Sequence, residues 1–172
     1  MLDVAPTDPR TLPTAARVEW RATRACDRAC PGCPLGSPRW RDPHELSTIE
    51  AMLLANRLWA RGCALLRVTG GDPSRREDLE DLVRHATRLG IEVEVALPTG
   101  VPPPGDERLR RLRESGVARI VARACGEAAD ADHTADVIAT ARKAGLPAIV
   151  EGAREHPTTI TSYGEVLETV AG

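Results

Sequence analysis

Four stretches of the chain share one pattern of polar and apolar positions: "RGCALLRVTGG", "LGIEVEVALPTG", "SGVARIVARACG" and "AGLPAIVEGA". In each, a glycine precedes a short apolar run of strand character. The glycines are Gly62, Gly90, Gly116 and Gly145, separated by 28, 26 and 29 residues. Glycine suits the left-handed position just past a helix end. Between these points apolar residues recur at helical spacing, as in Ile49, Met52 and Leu53, and again in Leu79, Leu82, Val83 and Ala86. Three segments read as capping boxes that open helices: Ser47 to Glu50, Ser74 to Glu77 and Ser162 to Glu165. "RVEWRAT", Arg17 to Thr23, supplies a strand ahead of the first helix.

A period of this length holds one strand, one helix and two short loops, the βα unit of parallel sheets and barrels. The pattern predicts five strands and about five helices. That is an α/β fold, either an open partial parallel (β/α) barrel of about five βα units or a flat doubly wound sheet. Residues 1–16 read as an irregular N-terminal extension and residues 17–172 as the core. In either architecture the chemistry belongs at the carboxyl ends of the strands. The segments expected there are residues 24–45, "GGDPS", "PTGVPPPG", "ACGEAAD" and "GAREHPTTITS".

The first of those segments changes the picture. "RACDRACPGC" places Cys26, Cys30 and Cys33 within one short loop, and Pro31, Gly32, Pro34 and Gly36 favour tight turns over helix. Arg24 and Arg28 add positive charge that favours thiolates. Five cysteines, three of them clustered, make a poor disulfide framework and a good metal site. A [4Fe-4S] cluster is usually tied by four thiolates, so three leave one iron open to a small molecule. Zinc is the rival, with His44 or Asp27 as a fourth ligand in a zinc-stabilised α/β domain. Cys63 reads as a core filler, and Cys125 falls at the active end.

Composition narrows the class further. Net charge is −2 with both signs mixed along the chain, which predicts no nucleic-acid face. No apolar run approaches membrane-spanning length, and the N-terminal residues do not read as a signal peptide. The expectation is a cytoplasmic protein.

The C-x3-C-x2-C spacing of Cys26, Cys30 and Cys33, placed after the first strand, resembles the signature of the radical S-adenosylmethionine (radical SAM) superfamily. "TGGDP", Thr69 to Pro73, ends the second strand and is similar to that family's Gly-Gly-Glu-Pro motif, with Asp for Glu. The resemblance runs from about Val18 to Val150. It implies a [4Fe-4S] cluster on the three cysteines and S-adenosylmethionine on its open iron. Reductive cleavage would give a 5′-deoxyadenosyl radical that abstracts hydrogen from a small-molecule or peptide substrate. It further implies cofactor contacts from Gly70, Gly71, Asp72, Pro73, Thr99 and Arg123, and an electron donor such as ferredoxin or flavodoxin. Glu151, Arg154 and His156 border the last loop, within reach of substrate.

Family cores usually have six βα units, against about five here. That difference leaves a second reading, a non-catalytic relative that binds a cluster or a partner protein. It also leaves a strand edge to be covered by a partner subunit, a homodimer or the last segment folding back.

Overall fold

Strand β1 (Arg17–Thr23) lies beside β2 (Leu65–Gly70), followed by β3 (Glu92–Pro98), β4 (Val117–Arg123) and β5 (Ala148–Val150), every pair parallel. The connections carry α1 (Thr48–Ala60), α2 (Leu79–Arg88), α3 (Asp106–Ser115) and α4 (Ala131–Lys143). This computed structural model describes residues 17–27, 33, 36–124, 131–151, 158–164 and 166–167. The four spaced glycines all take positive φ, from 78° to 105°, as the helix-end reading requires.

The strand order, β5-β4-β3-β2-β1 through this region, separates the two predicted architectures. Each right-handed crossover steps the same way, so every helix falls on the same face. A doubly wound sheet reverses its order partway and carries helices on both faces. Here α1 packs on α2, α2 on α3 and α3 on α4, forming one helical layer. The fold is the partial parallel barrel.

One face of the sheet and that layer share a single apolar core. Val18, Trp20 and Ala22 from β1, Leu66 and Val68 from β2, and Val93, Val95 and Leu97 from β3 meet Leu54, Leu58, Leu79, Leu109 and Leu112 from the helices. Cys63 lies in this core, as expected, and burial pushes its thiol pKa up.

Three local expectations have different outcomes. Ser47 forms its capping box, its hydroxyl accepting from Glu50 N while its own backbone N donates to Glu50 Oε2 at 2.8 Å. Ser74 forms none. Asp72 caps a single 3-10 turn, Pro73–Arg75, instead, and α2 begins only at Leu79. Glu165 of the third box lies outside the described residues, and the segment leads into a strand rather than a helix.

That strand pair is new. β6 (Thr158–Ile160) runs parallel to β1 on its free side, and β7 (Val166–Leu167) pairs antiparallel with β6. The last segment therefore folds back and covers the β1 edge, where the sequence pattern reads as a loop.

The face opposite the helices is charged. Registered across four strands lie Glu19, Arg67, Glu94 and Arg119, alternating in sign. Arg67 Nη2 stands 2.8 Å from Glu94 Oε2, and Arg119 Nε stands 2.7 Å from Glu94 Oε1. Glu94 is only 3% exposed, held between the two arginines. Barrel interiors are ordinarily filled by Val, Ile and Leu. This lumen is lined by ions instead.

Candidate active site

The cysteine loop leaves β1 at Thr23, and its root is fixed by hydrogen bonds at every step. Thr23 Oγ1 accepts from Ala25 N at 3.1 Å. Arg24 N donates to Glu45 Oε1 at 2.6 Å, and the Glu45 side chain is fully buried with Arg41 Nε 3.4 Å from its other oxygen. Cys26 N donates to Pro38 O at 2.8 Å, and Gly36 N donates to Cys33 O at 3.0 Å. Cys26 is buried, and Cys33 is half-buried with its Sγ 3.5 Å from Ser37 Oγ. Cys30 and Cys125 lie outside the described residues, as do Arg154 and His156.

A second clasp comes from the far end of the chain. Arg24 Nη1 donates to Tyr163 Oη at 3.3 Å, and Tyr163 Oη donates to Asp42 Oδ2 at 2.9 Å. Leu46 N donates to Ser162 O at 2.9 Å. β6 places Ser162 and Tyr163 here by pairing with β1. Ser162 reads in the sequence as a capping-box residue and Tyr163 carries no signal, because their role here depends on that long-range pairing.

The turn after β2 is docked directly on this root. Gly71 N donates to Thr23 O at 2.9 Å, and Asp72 N donates to Ala25 O at 2.8 Å. A Cβ on Gly70 would stand 2.0 Å from Thr23 O; one on Gly71 would stand 2.5 Å from the carbonyl oxygens of both Arg24 and Ala25. These glycines permit a backbone-to-backbone approach within the protein itself, which joins the turn to the base of the cysteine loop.

Asp72 is buried, and its Oδ1 accepts from Ser74 N at 3.0 Å and from Ser74 Oγ at 2.6 Å. Burial pushes its pKa up, only partly offset by the Ser74 bonds. An acid with a raised folded pKa loses stability as pH rises through that value. Asp72→Asn keeps the oxygen acceptor and removes the charge, so it is expected to hold or raise the denaturation midpoint at neutral pH. The wild type should gain stability relative to this variant as pH falls toward the unfolded carboxylate value of about 3.9. A variant less stable than wild type at pH 7 would contradict this reading.

The remaining sequence candidates sit on the next two strand ends. Thr99 N donates to Arg123 O at 2.9 Å, linking the exits of β3 and β4. Thr99 Oγ1 is buried with no hydrogen-bond partner among the described residues. Arg123 is engaged from three sides, its Nη1 donating to Thr69 Oγ1, with Glu19 Oε1 at 3.9 Å and Glu151 Oε2 at 3.6 Å. Glu151 thus joins the lumen network.

Cys26, Cys33, the Gly70–Pro73 turn, Thr99 and Arg123 are therefore gathered at the carboxyl ends of four adjacent parallel strands. Of the two residues considered as a fourth zinc ligand, Asp27 has its carboxylate 2.7 Å from Arg75 Nη1 and 3.9 Å from Arg39 Nε. A thiol donor set beside a docked glycine turn, with an orphaned buried hydroxyl at the next strand end, fits a bound iron–sulfur cluster and a polar small-molecule ligand.

Comparison with known proteins agrees with this geometry. The family model for the radical SAM superfamily matches residues 20–153. An AdoMet-dependent heme synthase from Oleidesulfovibrio alaskensis is 38% identical over 115 residues, covering 64% of this chain and 29% of that protein. A PqqA peptide cyclase from Rhodopseudomonas palustris is 34% identical over 109 residues, covering 63% of this chain and 28% of that protein. The chain therefore spans under a third of the length of these relatives. Among solved structures, BtrN in complex with AdoMet and 2-DOIA superposes with a TM-score of 0.64 at 16% identity, covering 89% of this chain and 72% of that one. At that identity the likeness speaks for the fold alone.

Proposed function

The chain belongs to the radical SAM superfamily, and on that premise we propose that it is a radical SAM enzyme acting on a small-molecule or peptide substrate. The observation that carries the reading is the docking of the Gly70–Gly71 turn on the root of the cysteine loop, through the Gly71-to-Thr23 and Asp72-to-Ala25 hydrogen bonds. When bound, a [4Fe-4S] cluster with S-adenosylmethionine supplies one-electron reductive cleavage of the sulfonium and hydrogen abstraction from substrate.

This chain's residues take defined parts in the proposal. Cys26, Cys30 and Cys33 are the cluster ligands. The carbonyls of Gly70 and Gly71 and the second oxygen of Asp72 receive the ammonium of S-adenosylmethionine. Pro73 opens the 3-10 turn that holds Asp72 in place. Thr99 offers its orphaned hydroxyl to the nucleoside. Arg123, fixed by Thr69 and two carboxylates, presents its remaining N–H groups to the cofactor's polar groups. Glu45 and Tyr163 position the loop without touching the cofactor. A ferredoxin or flavodoxin supplies the electron in the cytoplasm, and residues 17–172 form one catalytic core. No helix among the described residues is long and apolar enough to cross a membrane.

The test is anaerobic reconstitution with iron and sulfide, followed by dithionite and S-adenosylmethionine. The expected protein holds about four iron per chain and releases 5′-deoxyadenosine. A fully iron-loaded protein that never forms this nucleoside overturns the enzymatic reading. Stoichiometric zinc lost together with the fold on chelation would overturn the cluster itself.

A further inference from the structure

We propose that the charged lumen beneath the Gly70–Gly71 turn holds a carboxylate-recognition subsite built on Arg21, and that the substrate of the proposed reaction carries a carboxylate to it. The proposal rests on the function above and gives its substrate a chemical class.

Arg21, Arg67, Arg119 and Arg123 lie on the face of the sheet away from the helices. Three of these four are paired. Arg67 and Arg119 both hold Glu94, Arg119 also holds Glu92 at 3.0 Å, and Arg123 stands between Glu19 and Glu151. Arg21 has neither an ion pair nor a hydrogen bond among the described residues, and its Nε is buried without a partner. A buried charged donor left unmatched costs more than a neutral one. Nothing among the described residues offsets that cost at Nε, which Val or Ile at an inward-facing barrel position would avoid. The position is occupied by a group shaped for an anion.

Its neighbour completes the shape. Thr69 is registered directly opposite Arg21 across the β1–β2 pair and is 1% exposed. Its Oγ1 already accepts from Arg123 Nη1, so its own proton is available to donate. A guanidinium-bearing residue and a hydroxyl donor thus occupy registered positions on adjacent strands. Arg21 lies two residues before Thr23, where the cysteine loop departs, so this pair sits below the turn and below the cofactor-contacting residues proposed above. A substrate held there by one end directs its remainder toward the strand ends.

Charge and geometry favour a carboxylate over a phosphate. Glu19, Glu92, Glu94 and Glu151 share this face and oppose a dianion more than a monoanion. One planar guanidinium matches one planar carboxylate through two parallel N–H bonds.

The test uses the 172-residue chain labelled with [15N]arginine, following side-chain Nε–Hε signals during titration with acetate. Inorganic phosphate is run in parallel, with chloride as the ionic-strength control. Arg21→Gln identifies the Arg21 signal. The expected result is a saturable acetate shift of that signal and of the neighbouring Arg123 signal, which shares Thr69; read on Arg123, acetate binding is weakened at least tenfold in Arg21→Gln and partly recovered in Arg21→Lys. A shift that grows linearly without saturation, or a saturable response to phosphate with none to acetate, overturns the assignment. A lowered midpoint for Arg21→Gln with its acetate response intact assigns a structural role instead. The titration requires neither iron nor S-adenosylmethionine, so its failure leaves the radical reading standing, and the converse holds.

Discussion

Gly70→Ala is expected to destabilise the protein by about 4 kcal/mol, enough to unfold much of a marginally stable domain. Two costs add. The new Cβ would stand 2.0 Å from Thr23 O, a backbone atom that no rotamer change moves aside. Overpacking of this kind costs about 1–3 kcal/mol. Gly70 also has φ of 137°, where a side chain adds about 1 kcal/mol or more of strain. Relief requires the turn to lift off the root of the cysteine loop, so protein that does fold should also fail to retain iron. Cys33→Ala makes the contrast. Its side chain is only half-buried, so it should lose iron while its urea midpoint shifts by no more than about 1 kcal/mol equivalent. An unchanged midpoint for Gly70→Ala would mean that the turn and the loop root are not in contact.

Arg76→Met is expected to cost about 3–5 kcal/mol in chemical denaturation. Arg76 is 1% exposed, and its guanidinium meets a partner in each direction. Nε and Nη2 clasp the Asp78 carboxylate at 2.9 and 2.7 Å, Nη1 donates to Ala22 O at 2.9 Å, and Nη2 also donates to Leu46 O at 3.1 Å. The Trp20 ring lies 5.5 Å beneath it. One side chain thereby joins the end of β1, the segment before α1 and the start of α2. Methionine fills similar volume but removes the charge facing the Asp78 carboxylate, which keeps only the Thr48 hydroxyl, and the side-chain donor to Ala22 O. Burial alone would raise the Asp78 pKa, yet the hydrogen bonds from Arg76 and Thr48 outweigh it and hold the pKa below the ordinary carboxylate range. The stability tied to that charge is present above about pH 3.9. It is lost as pH falls through the depressed folded value. Arg76→Met should flatten this acid limb, and an acid limb identical to wild type would contradict the clasp.

These two residues also mark what the sequence makes legible. The βα repeat is readable because its signals are local: a glycine at each helix end and an apolar run after it. The pairing of a cysteine motif with "TGGDP" is readable because the motifs follow successive strands. Arg76 carries no such signal. Within "SRRE" it reads as a polar residue of a capping box, and only the approach of Ala22, Leu46 and Asp78 turns it inward. The same displacement explains why Ser74 caps no helix: the Asp72 carboxylate reaches Ser74 N first. β6 is three residues of polar context that become strand only beside β1. The lumen ladder, by contrast, was available in principle. "RVEWR" and "EVEVA" alternate ionic with apolar residues at period two, while "LLRVT" and "ARIVAR" place their arginines in phase with one face. Aligning those strands in register brings glutamate against arginine.

The clasp between Arg24 and Tyr163 spans 139 residues. On a ribosome adding about 5–20 residues per second, the cysteine segment therefore emerges on the order of ten seconds before its brace exists. Until then its thiols are tethered to an incomplete scaffold, open to oxidants and stray metals. The root of the cysteine loop is consequently braced only after most of the chain has been made, timed by the arrival of a tyrosine rather than by the appearance of the thiols.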